Sequence, residues 1–475
     1  MSLLIDYPHL QVIQNLAKTK KVKVYMVGGF LRDSLLQRRC LDFDFAVEKD
    51  AIGLARRFAS RIKGAFVLLD QEHGCARVAK KTGDAVHTFD FADFRAPTLS
   101  KDLLHRDFTI NTLTVDVNNL TAATQLNKAM GDARKARRDL KFKKIRMVSN
   151  KAFREDPLRV MRAFSLRALL GFTIERKTLD QIKKDKDRIT DVSYERIRDE
   201  LFKILESPRC FDNLKAMDRI GLLEKIIPQI HVMYNCRQGG YHHLDVWPHS
   251  LEAVNQMEKM LADIEPDEDI RNYIRAPIGG QRTRWAMMKL AALLHDIGKP
   301  ETRKKEGARI SFHAHEIVGK SIVRNVAKLL KLSTQERFAL EDMVLWHLRP
   351  GYLSNFKNPS PKSIFRYFRD TKEEAASIAL LSLADQRATR GPLTTEEDQK
   401  HHEKICRNLI ATFFAKKKEK PCVRLIDGHD LIKQLKLKPS PLFGKILSTV
   451  EERQATGKIH TKEEALALAR EILKT

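Results

Sequence analysis

Two aspartates, Asp42 and Asp44, stand one residue apart in the stretch LDFDFAV. A strand repeats every two residues, so their side chains share one face while Leu41, Phe43 and Phe45 take the other. Neighbouring carboxylates repel unless a divalent cation lies between them. Upstream, Gly28 and Gly29 open a short helical pattern. Glycine lets backbone approach a phosphate closely, and a helix N-terminus favours anions. Metal-holding carboxylates opposite a phosphate-accepting turn suit phosphoryl or nucleotidyl transfer. Asp90, in AVHTFDFAD, is a candidate third carboxylate if its strand lies beside the first, and Asp93 is its rival.

Several elements must position these groups. Leu10, Val12, Ile13, Leu16 and Ala17 have helical spacing within residues 1–23, and a basic turn at 18–21 closes that helix. The segment 24–47 reads as strand, Gly-Gly turn, short helix and second strand. A helical pattern covers 51–63. Strands are expected at 64–70, 75–81 and 85–93, joined by turns at 71–74 and 81–84. The expectation is a small mixed sheet with helices on one side.

The 475 residues carry 87 Lys and Arg against 61 Asp and Glu, a net charge of +26 that points to a polyanionic partner, nucleic acid above all. No apolar run approaches the roughly 18 residues a membrane span needs. The N-terminus has no basic stretch ahead of an apolar core, so a cytoplasmic protein without a secretory leader is expected. The six cysteines, Cys40, Cys75, Cys210, Cys236, Cys406 and Cys422, are scattered without C-x-x-C spacing and read as reduced thiols.

Gly28-Gly29-Phe30-Leu31-Arg32-Asp33 with Asp42-Phe43-Asp44 downstream resembles the signature of the class II nucleotidyltransferases, the family of tRNA CCA-adding enzymes and bacterial poly(A) polymerases. The segment LLHRDFTINTLT (103–114) is similar to that family's second motif, with His105 in place of its first arginine. The resemblance implies that Arg106, Asp107 and Asn111 lie at the ribose and triphosphate of the incoming nucleotide, with Gly28, Gly29 and Arg32. Guanidinium pairs well with phosphate oxygens. The segment 153–175, FREDPLRVMRAFSLRALLGFTIE, is similar to the family's ED-x-x-R motif and its continuation R-A-x-R-F, with Ser165 in place of the last arginine. Asp156 and Arg159 are then implied as an amino-acid template for the base, with Arg162 in support. A carboxylate accepts from the exocyclic amine shared by C and A, which G and U lack at that place. Taken alone, Asp156 also suits a helix N-cap before Pro157. VSYERIRDELFKIL (192–205) continues the match with Glu195, Arg196 and Glu200, expected to hold the template helix.

Departures also occur. Between Phe94 and Asp102 the connection is short, which resembles enzymes that add only part of CCA. Residues 127–146 hold nine basic side chains against two acidic ones, with Asn127 where the family has an aspartate, and read as an RNA-facing basic loop.

The later chain resembles an HD domain, a metal-dependent phosphohydrolase fold. GYHHLDVWPHSLEAV (240–254), LAALLHDIGKPETR (290–303), FHAHEIVGKSIV (312–323), LWHLRP (345–350) and LLSLADQRATRG (380–391) occur in the family's order. The implied ligands are His249, His295, Asp296 and Asp385, with His315 and His347 where two-metal members have more, and Lys299 near phosphate. A lone His-Asp pair would mean little; five ordered segments mean more.

The expected fold is α+β: a polymerase-beta-like nucleotidyltransferase head at 1–145, a helical neck at 146–235, an HD domain at 236–400 and a helical tail at 401–475, with a basic linker at 416–420. The resemblance implies template-independent addition of C, A or both, from CTP or ATP, to the 3′ end of tRNA, releasing pyrophosphate, with a lean to a partial CC- or A-adding enzyme. It implies Mg²⁺ held by Asp42 and Asp44, and a divalent transition metal or Mg²⁺ at the HD site. No membrane and no obligate protein partner is expected. A poly(A) polymerase shares these motifs. A hydrolase of RNA-end phosphates working through the HD site, and an RNA-binding protein without catalysis, are the readings from other classes.

Overall fold

Helix α1 (Pro8–Lys20) buries Leu10, Ile13, Gln14 and Ala17 along one side, starting from a proline whose missing N–H is no loss in a first turn. The computed structural model describes residues 7–83, 85–121, 125–240, 243–280, 282–307, 309–419 and 423–474. Cys422 and the end of the 416–420 stretch therefore lie outside the described residues.

Strands β1 (Val24–Val27), β2 (Asp42–Val47), β3 (Ala65–Asp70), β4 (Cys75–Thr82), β5 (Ala85–Asp93) and β6 (Thr114–Asp116) form one sheet in the order β3-β4-β5-β2-β1-β6. Its β2–β5 pairing is parallel; the other pairings are antiparallel. Helix α2 (Gly29–Leu35) joins β1 to β2, and α3 (Ala51–Ile62) comes after β2. Phe43, Phe45, Phe89 and Phe91 are buried on one face and stack in register across the parallel pair. Phe58 of α3 meets Phe89 and Phe91 edge-on or tilted, which covers that face. The opposite face keeps the acidic residues.

The 127–146 segment is ordered. Asp132 accepts from the backbone N–H groups of Ala136 and Arg137. Arg137 donates to the Asn127 carbonyl, and Arg134 to the Ser100 carbonyl at 2.8 Å. Buried Asp139 accepts from Thr109 and Arg146. Helix α4 (Arg159–Leu170) ends at Gly171, whose φ of +70° gives a left-handed terminus. Asp156 precedes this helix in extended backbone, with Leu158 at the N-cap. Proline at 157 holds residue 156 out of helical backbone, and the Asp156 side chain accepts from the Leu158 N–H at 3.3 Å, a capping-type bond in the turn that leads into α4.

Two compact units divide between Leu201 and Phe202, inside helix α5 (Tyr194–Glu206). In the second unit, α6 (Val246–Ile264), α7 (Arg284–Leu294), α8 (His315–Leu329), α9 (Thr334–Trp346) and α10 (Ala375–Ala388) build an all-helical core. Helix α11 (Glu396–Lys418) runs through Lys416–Lys418, so the expected linker is helical there; cations suit a helix C-terminus. Helices α12 (Gly428–Leu435), α13 (Pro441–Ala455) and α14 (Lys462–Lys474) enclose a small core of Ile426, Leu431, Ile446, Val450, Ile459, Ala465 and Ala469. Among the described residues no helix is long and apolar enough to cross a membrane, and Cys40, Cys75, Cys210, Cys236 and Cys406 are free thiols.

Candidate active site

Asp42 and Asp44 share the open face of β2, as their alternation requires. In register on β5 stand Thr88 beside Asp42 and Asp90 beside Asp44. The Thr88 hydroxyl donates to Asp42. Asp44 sits against the turn: a Cβ built on Gly28 would come within 2.6 Å of its Oδ2, and Gly28 has a φ of +83°. The glycine thus serves two needs, a backbone angle open mainly to glycine and clearance for a carboxylate. Burial raises the Asp44 carboxyl above its ordinary range; Arg106, Arg162 and the Gly29 N–H pull it back, while Asp90 adds to the rise. A group strained in this way fits a cation: two carboxylates on one face, one of them enclosed, with no ion pair made by either among the described residues.

Asp90 is arranged differently. Its Oδ1 accepts from Arg77 Nε and its Oδ2 from Arg77 Nη2, both at 2.7 Å. Like Asp42 and Asp44, it joins no cluster of three convergent metal-ligating side chains among the described residues. Asp93 accepts from the Ala51 N–H in the first turn of α3, whose cap is Asp50.

Arg32 is buried. It pairs with Asp33 at 3.0 and 2.8 Å and donates to Asn111 Oδ1 at 2.7 Å. Asn111 in turn donates to Asp107, which also accepts from Arg162 Nε at 3.0 Å. Burial alone would raise the Asp107 carboxyl, but Arg162, Asn111 and the Phe108 N–H hold it below its usual range. Arg32, Asn111 and Asp107 thus brace α2 against the 106–111 segment, where the family resemblance implies a direct phosphate contact. Arg106 differs: its Nε is buried without a hydrogen-bond partner, 3.8 Å from Asp102.

In the template segment, Arg159 donates to the carbonyls of His105, Arg106 and Ala152, and burial lowers its pKa. Asp156 keeps both oxygens toward Arg196 Nη2, at 3.2 and 3.0 Å. The motif spacing predicts the two side by side on one helical face; Asp156 stands just before α4 and Arg159 opens it, near enough that the Asp156 charge acts to raise the Arg159 pKa. Ser165 donates to Glu200, and His105 Nδ1 lies 3.2 Å from Glu155.

The second unit holds the other candidate centre. His249, His295 and Asp385 form one convergent set, and Asp296, His315 and His347 another. His249 Nε2 is 2.9 Å from Asp385, His295 Nε2 is 3.2 Å from Asp296, and His315 Nε2 is 3.3 Å from Asp296. His295, His315 and His347 direct Nδ1 to the carbonyls of Ala292, Phe312 and Val344, at 2.9, 2.8 and 2.7 Å. A carbonyl can only accept, so Nδ1 carries the proton and Nε2 faces the acids, the tautomer a metal needs. The donor set therefore fits divalent ions. Burial opposes a charged His295, yet Asp296 and Asp385 raise it to about 10, so a metal bound there would displace its Nε2 proton, while burial lowers His347 to about 3. Lys299 Nζ lies 2.7 Å from Asp296 and 2.7 Å from Gln238 Oε1.

The sequence reading missed Arg77, Thr88 and Gln238. Arg77 was within reach: with Thr82 opposite Ala85 at the hairpin end, counting back places it opposite Asp90.

Residues 24–146 match the poly A polymerase head domain, 171–233 the probable RNA and SrmB-binding site of polymerase A, 246–390 the HD domain, and 416–469 the putative tRNA nucleotidyltransferase domain 2. A polymerase-type transfer head and an HD domain on one chain define a class of RNA-end enzymes whose two catalytic families depend on metals. An A-adding tRNA nucleotidyltransferase of Deinococcus radiodurans is 31% identical over 93% of this chain and 94% of its own length. A CC-adding tRNA nucleotidyltransferase of Thermus thermophilus is 28% identical over 93% and 92%. In fold, the chain resembles the Thermotoga maritima CCA-adding enzyme complexed with tRNA-CCA, with a TM-score of 0.61, 20% identity, and coverage of 98% and 94%. The chain belongs to the tRNA nucleotidyltransferase family.

Proposed function

We propose that this chain adds part of the CCA sequence, C residues or the terminal A, to the 3′ end of tRNA. The observation that carries this is the Asp42–Asp44 face backed by Gly28, on a chain that aligns with A-adding and CC-adding relatives over nine-tenths of its length. In the reaction the RNA 3′-oxygen attacks the α-phosphorus of CTP or ATP, the bond to the β-phosphate breaks, pyrophosphate leaves, and the hydroxyl proton passes to solvent. Divalent ions, Mg²⁺ being the expected one, would activate the hydroxyl and neutralise the triphosphate when held by Asp42 and Asp44. Arg106, part-exposed beside Asp102, offers its guanidinium to the triphosphate, and the Gly29 N–H holds the Asp44 carboxylate in place. Asp156, aimed by Arg196, accepts the amine of C or A. Arg159 fixes the 105–106 backbone beneath it, and Arg162 is a link to Asp107. The basic excess holds tRNA through phosphates, so shape more than sequence selects the substrate.

The test uses tRNA ending before CCA and tRNA ending in CC, each with one labelled nucleotide. Incorporation of C on the first, or of A on the second, is expected. GTP or UTP incorporation at a comparable rate would overturn the Asp156 assignment. Generic RNA used as well as tRNA would favour a poly(A) polymerase.

A second reading concerns the HD centre, favoured by three histidines locked in the metal-binding tautomer. It hydrolyses phosphate esters at RNA ends, such as 2′,3′-cyclic phosphates or 2′-phosphates. A bound transition metal or Mg²⁺ would supply the activated water. Lys299 would meet the phosphate. His295→Ala should abolish metal-dependent phosphate release while nucleotide incorporation persists; release by the variant at the wild-type rate would refute this reading.

A further inference from the structure

The Arg77–Asp90 pair sits on the carboxylate face, yet the transfer chemistry above does not use it. Arg77 lies opposite Asp90 across the β4–β5 hairpin, and Asp90 stands in register beside Asp44. The guanidinium also feels the charges of Asp42 and Asp44. Two of its nitrogens are fixed by Asp90. Its Nη1 has no partner among the described residues, and the side chain is 45% exposed. An arginine clamped at two points and open at a third is a preoriented cation, because the planar fork has little rotamer freedom left to lose.

The sheet order says what it faces. Gly28, Gly29 and the braced 106–111 segment lie on the β1 side of Asp44. Arg77 lies on the other side, across β5, about 10 Å from β2 at ordinary strand spacing. In a nucleotidyl transfer the attacking and leaving oxygens stand roughly in line on opposite sides of phosphorus. If the triphosphate occupies the β1 side, the RNA end must enter from the β5–β4 side.

We propose that Arg77 binds a backbone phosphate of the RNA 3′ end, and that Asp90 is the positioning residue that orients Arg77. This rests on the reading of the head as a nucleotidyltransferase acting on RNA. Asp90 is then no metal ligand; each of its oxygens takes one Arg77 nitrogen.

The test is steady-state incorporation by the full chain on tRNA with its ordinary terminus, and on tRNA whose last two internucleotide phosphates are neutral methylphosphonates. Arg77→Ala should lower kcat/KM for ordinary tRNA roughly ten- to hundredfold, as expected for a lost charge-assisted hydrogen bond. The KM for the nucleotide and the half-saturating divalent ion should stay within about twofold. On the neutral substrate, wild type and Arg77→Ala should be equal, and Arg77→Lys should recover part of the loss on the charged one. Asp90→Asn should show the same split with a smaller loss. An equal penalty for Arg77→Ala on both substrates would overturn the phosphate contact. Loss of turnover in Asp90→Asn that added divalent ion restores would overturn the positioning role and make Asp90 a metal ligand. Should wild type incorporate nothing, or Asp42→Ala keep full turnover, the underlying reading fails instead. Thermal denaturation of each variant separates these results from misfolding.

Discussion

Gly28→Ala tests the geometry of the head most sharply. A methyl group there would sit 2.6 Å from Asp44 Oδ2, well inside contact distance, on a residue with a φ of +83° and a ψ of −141°. Such backbone is nearly confined to glycine and costs a side-chain residue about 1–3 kcal/mol. For a unit of about 200 residues, each kcal/mol lowers Tm by roughly 2–4 °C, so a fall of about 2–12 °C is expected. The larger effect should be chemical. The Asp44 carboxylate must move to clear the methyl, and a displacement of about 1 Å in a catalytic group can cost on the order of a hundredfold in rate. Incorporation of labelled nucleotide should therefore fall on the order of a hundredfold at temperatures where the variant remains folded, and extra divalent ion should recover only part of it. Wild-type melting together with wild-type turnover would refute the close approach of turn and carboxylate.

The same contacts fix three further outcomes. The folded-state pKa of Asp107 is depressed, so the stability it contributes is present above its unfolded value of about 4 and is lost as pH falls below that. Asp107→Asn should lower Tm at pH 7 and flatten the acid limb of Tm against pH, and an unchanged limb would deny the Arg162 link. Arg196→Ala frees the Asp156 carboxylate and should reduce discrimination of CTP or ATP over GTP and UTP by about tenfold in competition assays, the worth of one charge-assisted bond. An unchanged ratio would mean that Asp156 is not aimed by Arg196. Ser165→Ala removes one donor from Glu200 and should cost about 1 kcal/mol in chemical denaturation, with transfer activity kept.

Much of the head was readable because strand alternation is rigid. Asp42 and Asp44 against Phe43 and Phe45 could only divide between two faces, and the β3–β5 turns carried their own glycines and polar residues. The HD segments were readable as ordered motifs. Ion pairing was not. Arg32 lies in the motif, yet its partners are Asp33 beside it and Asn111, far along the chain; only the folded head shows that its charge is already satisfied. Arg159 shows its Glu155 partner locally, four residues back, but its bonds to the carbonyls of 105 and 106 bridge more than fifty residues and leave no local sign. The position of β5 was half visible: alternation placed Asp90 on a face, but nothing local said that β5 would pair with β2 in parallel. The division near Leu201 was also hidden, since a continuous helix carries no boundary signal.

That parallel pairing has a consequence for synthesis. β1 and β2 can meet as soon as both leave the ribosome, since they are close in sequence and antiparallel. Thr88 lies 46 residues beyond Asp42, so the β2–β5 pairing is the non-local, slower kind of strand docking. Until then Asp42 lacks its hydroxyl partner and the Phe43 and Phe45 side has no stacking rings from β5. A nascent head therefore carries both metal-facing carboxylates on β2 early, while the Thr88 hydroxyl and the ring stack that back them arrive last.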